Sequence, residues 1–199
     1  RNSVVRSLRA TVALVYRSAN RLTAPMMRWK RRETMPYATS TSNVNGQEVV
    51  AAYSRSAARG RAFAKQWDIP ETTTDLDALI ARRDIDLHII ALPNELHLPV
   101  SLKLSKARRN QVCTKPLARN AREARLMYDA ARKSGAIHGY AETEGFAPAC
   151  VKARDIIDRG GIGRVLWVRS RESDSGPHSP HFWDARNTGG GAMNDLGCH

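Results

Sequence analysis

Asp86-Leu87-His88-Ile89-Ile90-Ala91-Leu92-Pro93-Asn94 holds a run of strand length, apolar from Ile89 to Leu92, that stops at a proline. Apolar residues here are continuous rather than alternating, as expected of a strand buried on both faces of a sheet. Downstream, Leu98 to Ala107 has the length and composition of a helix, and Asn110 to Cys113 is a second short strand, broken by Lys115-Pro116. Strand, helix, strand is the unit from which parallel sheets are built.

The same unit recurs on both sides. Upstream, Glu48 to Tyr53 is an apolar strand, Ser56 is placed to N-cap a helix over Ala57 to Trp67, and Pro70 closes the unit. Thr74-Asp75-Leu76-Asp77 caps a short helix over Leu76 to Arg82. Downstream, Asn120 caps a long helix to Lys133. Ala121, Ala124, Met127, Tyr128 and Ala131 share one face of it, and Gly135 stops it. Ala136 to Tyr140 is the next strand. The fold class is therefore α/β, a doubly wound parallel sheet of Rossmann type over residues 46–140.

In such sheets ligands bind beyond the carboxyl ends of the strands. The polar groups there are Ser54-Arg55, Leu92-Pro93-Asn94, Thr114-Lys115-Pro116 and Glu142-Thr143.

After Tyr140 the rhythm changes. A helix over Ala147 to Arg159, a glycine-rich stop and an alternating strand over Gly163 to Arg171 read as the beginning of an α+β second domain, residues 141–199. It closes on Gly189-Gly190-Gly191-Ala192-Met193-Asn194-Asp195-Leu196-Gly197-Cys198-His199. If this segment is helical after Gly191, Asp195 and His199 lie one turn apart on one face. A carboxylate beside an imidazole suits proton transfer near neutral pH.

Residues 1–45 differ from the rest. Residues 1–32 carry nine Lys or Arg and no acid, so they supply most of the net charge of +13. Leu8 to Tyr16 fits a short helix or a strand, and Arg28 to Arg32 is a basic cluster with one tryptophan. Three readings stay open: a poorly ordered leader, an Arg- and Ser-rich targeting presequence, and an arm for nucleic acid.

No run of 18 apolar residues exists, so no membrane span is expected. Cys113, Cys150 and Cys198 are too scattered for a disulfide framework, and a reducing, cytoplasmic setting follows. A metal site from His178, His181, Asp184, Cys198 and His199 lacks a clean ligand spacing, so no metal is assigned.

From Val49 to His199 the chain resembles the Gfo/Idh/MocA family, relatives of glucose–fructose oxidoreductase and inositol dehydrogenase. Tyr53-Ser54-Arg55 is similar to the end of that family's second strand. Leu92-Pro93-Asn94-Glu95-Leu96-His97 resembles its Thr-Pro-Asn-x-x-His segment. Cys113-Thr114-Lys115-Pro116-Leu117-Ala118 resembles its Cys-Glu-Lys-Pro-Leu-Ala signature, and Tyr140 to Pro148 its entry to the second domain. Gly189 to His199 resembles its Gly-Gly-Gly-Ala-x-x-Asp-x-Gly-x-His motif.

The resemblance implies an oxidoreductase that uses NADP or NAD on a sugar, a polyol or a related hydroxylated compound. It implies Lys115, Asp195 and His199 as catalytic residues, and Ser54, Arg55, Pro93, Asn94, His97, Thr114, Lys115 and Pro116 as cofactor-binding positions. Arg55 leans towards NADP, because a basic residue after the second strand can accommodate a 2′-phosphate. The expected partner is a small molecule rather than nucleic acid, and a homo-oligomer is left open.

The pattern also departs from the family. No first strand with Gly-x-Gly-x-x-Gly is recognisable, the first glycine being Gly46. Thr114 stands for a glutamate, Leu92 for a threonine, and Arg108-Arg109-Asn110 for a glycine-containing turn. The expectation is a truncated or degenerate member, with a non-catalytic binding module of the same fold as the alternative.

Overall fold

The computed structural model describes residues 8–14, 47–173, 176 and 180–199. The basic cluster Arg28 to Arg32 and His178 lie outside them, so the readings that rest on those residues are not addressed by the fold.

Among the described residues six parallel strands form one sheet: β1 (Leu8–Leu14), β2 (Gln47–Tyr53), β3 (Glu71–Thr73), β4 (Leu87–Ala91), β5 (Gln111–Thr114) and β6 (His138–Ala141). Their order is β3-β2-β1-β4-β5-β6. The chain builds outward from β1 in one direction, then restarts at β4 and builds outward in the other. The reversal leaves a crevice at the carboxyl ends of β1 and β4, the position where open α/β sheets take their ligands.

The expectation that a first strand is missing is corrected by β1. It lies at the centre of the sheet, with Val12 beside Ala52 of β2 and Leu14 beside Ala91 of β4. Its sequence hides it, because Arg9 and Thr11 interrupt the apolar run and no glycine turn follows. The edge strand β3 was also unread, since three residues cannot display an alternating period.

The connecting helices are α1 (Ala57–Trp67), α2 (Leu76–Ala81), α3 (His97–Lys106) and α4 (Ala121–Ser134). Their ends follow the local chemistry. Ser56, Asp75 and Asn120 each accept a backbone N–H of the first turn, and Gly135 ends α4 in the left-handed region at φ 70°. Arg109 donates to the carbonyls of Ile80, Ala81 and Arg82, closing the end of α2.

The core lies on both faces of β4. Ile90 packs with Val100 and Leu104 of α3 and Met127 of α4, whereas Ile89 meets Phe63 of α1. Burying each such side chain contributes roughly 1.5–3 kcal/mol. This two-sided burial explains why the strand is apolar on both faces at Ile89 and Ile90.

Beyond β6 come α5 (Pro148–Asp158), α6 (Ala185–Thr188) and α7 (Ala192–Asp195). The strand expected over Gly163 to Arg171 is corrected: this stretch has no regular secondary structure, and Leu166, Trp167 and Val168 are exposed. Alternation alone does not make a strand, because its backbone groups need a neighbouring strand to pair with.

Candidate active site at the carboxyl ends of the strands

Lys115 leaves the carboxyl end of β5, next to Pro116 across a cis peptide bond. His97 supports this loop. Its ring is fully buried, with Nε2 2.8 Å from the carbonyl of Leu92 and Nδ1 2.9 Å from that of Pro116. Burial pushes its pKa down, opposed by the surrounding backbone carbonyls. His97, expected from the resemblance at a cofactor-binding position, has no exposed surface and lies between the β4 loop and the β5 loop.

Thr114 is likewise turned inward, donating from Oγ1 to the carbonyl of Ile90 at 3.1 Å. Ser54 is buried, and its hydroxyl donates to the carbonyl of Ser56 at 3.0 Å. Arg55, by contrast, is exposed beyond the end of β2. Pro93 and Asn94 follow β4, and Asn94 is buried with its amide donating to the carbonyl of Thr188 at 3.2 Å.

That last bond brings the C-terminal segment onto the sheet. Asn194 donates to the same Thr188 carbonyl at 2.7 Å, and Arg119 donates to the carbonyl of Arg186 at 2.7 Å. Gly189 is the point of closest approach. Its φ is 91°, and a Cβ there would sit 2.2 Å from the carbonyl oxygen of Arg119. Only glycine lets the two backbones meet.

Docking places the three residues implied by the resemblance at neighbouring strand ends. Lys115 Nζ donates to Asp195 Oδ1 at 2.9 Å and to the Asp195 carbonyl at 3.0 Å. The two side chains are 26% and 33% exposed, so the pair is partly shielded from water.

His199 is arranged differently from expectation. The helix that was to carry both Asp195 and His199 ends at Asp195, where α7 stops, and the Gly197 N–H turns back to the Ala192 carbonyl at 3.0 Å. The carboxylate beside the imidazole is therefore Glu142, at the end of β6, with His199 Nδ1 2.6 Å from its Oε1. Glu142 also accepts the backbone N–H groups of Glu144 at 2.7 Å and Gly145 at 3.0 Å. The bond to His199 foremost, with these two backbone donors, holds the Glu142 carboxyl down at about 2.

Two further groups line this corner. Partial burial, with the neighbouring Cys198, pushes the Tyr140 phenol up to about 12. Cys198 itself lies 3.1 Å from the Asp195 carbonyl. Neither Tyr140 nor Glu142 is marked as a site residue by a motif, and Glu142 stands in the sequence only as one of the polar groups at strand ends. No group of three or more His, Cys, Asp or Glu among the described residues could hold a metal ion. His181 lies 3.3 Å from Glu95, apart from His199 and its Glu142 partner.

Residues 28–141 match the family model described as "Oxidoreductase family, NAD-binding Rossmann fold", and residues 150–199 match the "GFO/IDH/MocA C-terminal domain". The chain belongs to the Gfo/Idh/MocA family.

Among curated members of this family, the chain is 32% identical over 141 residues to levoglucosan dehydrogenase of Pseudarthrobacter phenanthrenivorans, covering 68% of this chain and 36% of that protein. It is 33% identical over 156 residues to 1,5-anhydro-D-fructose reductase of Ensifer adhaerens, covering 77% and 47%. The chain thus spans about half or less of the length of these Gfo/Idh/MocA relatives. A solved levoglucosan dehydrogenase, in complex with NADH and levoglucosan, superposes with a TM-score of 0.68 at 25% identity, covering 76% of this chain and 42% of that one. The fold is also shared with GenD2 from gentamicin A biosynthesis, at a TM-score of 0.77 and 24% identity, covering 98% and 52%.

Proposed function

We propose that this chain forms the dinucleotide-binding and catalytic part of an NAD(P)-dependent oxidoreductase acting on a secondary hydroxyl of a sugar or polyol. The observation that supports this reading is the pairing of Lys115 with Asp195 and of His199 with Glu142, Lys115 and Glu142 lying just beyond the carboxyl ends of the neighbouring strands β5 and β6.

The donor set suits a nicotinamide dinucleotide. Arg55 is exposed at the end of β2, where an adenosine ribose or its 2′-phosphate would lie, so NADP and NAD are both accommodated. Asn94 and Lys115 mark the ends of β4 and β5 on the other side of the strand reversal. When bound, the nicotinamide supplies the hydride chemistry.

The chain's own residues handle the oxygen and its proton. Oxidation of the alcohol sends the carbon-bound hydrogen away as hydride and the hydroxyl hydrogen away as a proton. Lys115 hydrogen-bonds the substrate oxygen and stabilises the negative charge that develops on it. Asp195 holds the ammonium in place by two bonds, to its carboxylate and its carbonyl. His199 accepts the proton, as an imidazole can near neutrality.

A second reading, a non-catalytic binding module of the same fold, is favoured by one observation. Residues 15–45, which follow β1, contain no glycine, and glycines are what usually let backbone approach a pyrophosphate.

Turnover distinguishes the two. The full chain is incubated with NAD⁺ or NADP⁺ and a panel of sugars, anhydrosugars and polyols, and reduced nicotinamide is followed by its absorbance. The enzyme reading expects reduction with at least one substrate, abolished in Lys115→Met. Absence of reduction across the panel, in a chain that also binds neither dinucleotide, selects the binding module.

A further inference from the structure

We propose that Glu142 is the positioning residue of His199: it accepts the Nδ1 proton, fixes that tautomer, and leaves Nε2 as the atom that takes the substrate proton. The inference deepens the oxidoreductase reading and rests on it for the substrate step, but the Glu142–His199 pairing stands on its own geometry.

Three observations carry it. The first is distance. Nδ1 and Oε1 are 2.6 Å apart, a short charge-assisted hydrogen bond. An ionised carboxylate has only lone pairs to offer, so the shared hydrogen belongs to Nδ1. A neutral imidazole with its proton on Nδ1 has its free lone pair on Nε2.

The second is rigidity. The side chains of His199 and Glu142 are 13% and 18% exposed. Glu142 is held independently of the imidazole by the backbone N–H groups of Glu144 and Gly145. The acceptor is therefore in place before the ring arrives, which lowers the entropy lost in orienting it.

The third is the division of carboxylates. Asp195 is committed to Lys115, and Glu142 to His199. An ammonium and an imidazole that act on one substrate oxygen must hold opposite roles, donor and acceptor. Separate carboxylates let each be held without exchange between them. When Nε2 takes up the proton, the resulting imidazolium gains an ion pair with Glu142, as in other carboxylate–imidazole sites.

The test reads the tautomer directly. His199 in the full chain is ¹⁵N-labelled, assigned by comparison with His199→Ala, and examined above neutral pH. The wild type is expected to carry its proton on Nδ1. Glu142→Ala is expected to shift the ring towards the Nε2-protonated form, with Glu142→Asp restoring part of the original population. Glu142→Gln keeps an acceptor oxygen without the charge, so it is expected to keep the tautomer. Its kcat should fall on the order of 100-fold while KM for substrate changes little.

A wild-type ring protonated on Nε2, or an Nδ1 proton that survives in Glu142→Ala, overturns the proposal. If Glu142→Ala does not fold, the wild-type tautomer and the kcat of Glu142→Gln decide it: an Nε2 proton, or an unchanged kcat, overturns it. Loss of dinucleotide binding in the wild type would instead overturn the oxidoreductase reading, and it leaves the tautomer measurement intact.

Discussion

Lys115 and Asp195, 80 positions apart in sequence, are joined at 2.9 Å by an ion pair that reaches from the end of β5 to the end of α7. The bond does two things. It orients the ammonium at the strand ends, and it pins the segment that carries His199.

Asp195→Asn should therefore act on two levels. A partly exposed pair of this kind contributes on the order of 1 kcal/mol, and thermal denaturation is expected to register a loss of that size. Turnover should suffer more than stability, because an unheld ammonium loses its geometry to the substrate oxygen. Comparing the change in Tm with the change in kcat checks this.

Gly189→Ala should undock the C-terminal segment. The new methyl group would meet the Arg119 carbonyl oxygen at 2.2 Å, on a backbone at φ 91°. Strain and overlap together are expected to cost more than about 2 kcal/mol. Amide hydrogen exchange should rise across residues 180–199 while the amides of β4, β5 and α3 stay protected. Unchanged protection of the segment would mean that the close approach is not needed.

Acid should loosen the same segment. Glu142 and Asp184 both have carboxyls held down at about 2, by His199 and by Arg186 respectively. In the unfolded chain they titrate near 4, so the folded state binds fewer protons between those values. The stabilisation they give is whole above about pH 5 and is lost as pH falls towards 2. Exchange at residues 180–199, measured against pH, is expected to follow that course.

His88 gives the core its own acid response. It is buried in β4, and burial lowers its pKa from 6.5 to about 4. Below pH 6.5 the unfolded chain takes up a proton that the folded chain refuses, so stability falls as pH drops through that window. The full effect is about 3 kcal/mol. Urea unfolding at pH 7 and pH 4 should show it, and His88→Leu should reduce the difference between them.

Arg108 occupies the left-handed region at φ 53°, in the turn between α3 and β5. A side chain there is strained, whereas glycine is not. Arg108→Gly is expected to stabilise the chain by about 0.5–1 kcal/mol in urea unfolding, the strain relief exceeding the added freedom of the unfolded state.

Much of this architecture is legible along the chain. Ser56, Asn120 and Gly135 mark helix ends, and each does so by a local backbone bond that spacing alone reveals. The run Leu87 to Ala91 announces a strand because both of its faces are buried. β1 is not legible in the same way: Arg9 and Thr11 break the apolar pattern, and its identity as a strand comes from β2 and β4 on either side. The alternating run after Gly163 misleads for the converse reason, having the pattern of a strand without a neighbour.

The site divides along the same line. Lys115, Asp195 and His199 can be named from their motifs. Which carboxylate pairs with which side chain cannot, because Glu142 and His199 are 57 positions apart and no spacing rule connects them. The local four-residue interval between Asp195 and His199 pointed to the wrong pair, and the early end of α7 is what separates them.

Titration of the full chain with NADH and with NADPH, read by tryptophan quenching and by energy transfer to the nicotinamide, tests the central claim most directly. Saturable binding below millimolar concentration is expected for at least one of the two, weakened selectively for NADPH in Arg55→Ala. No saturable change with either dinucleotide up to millimolar concentration would contradict it.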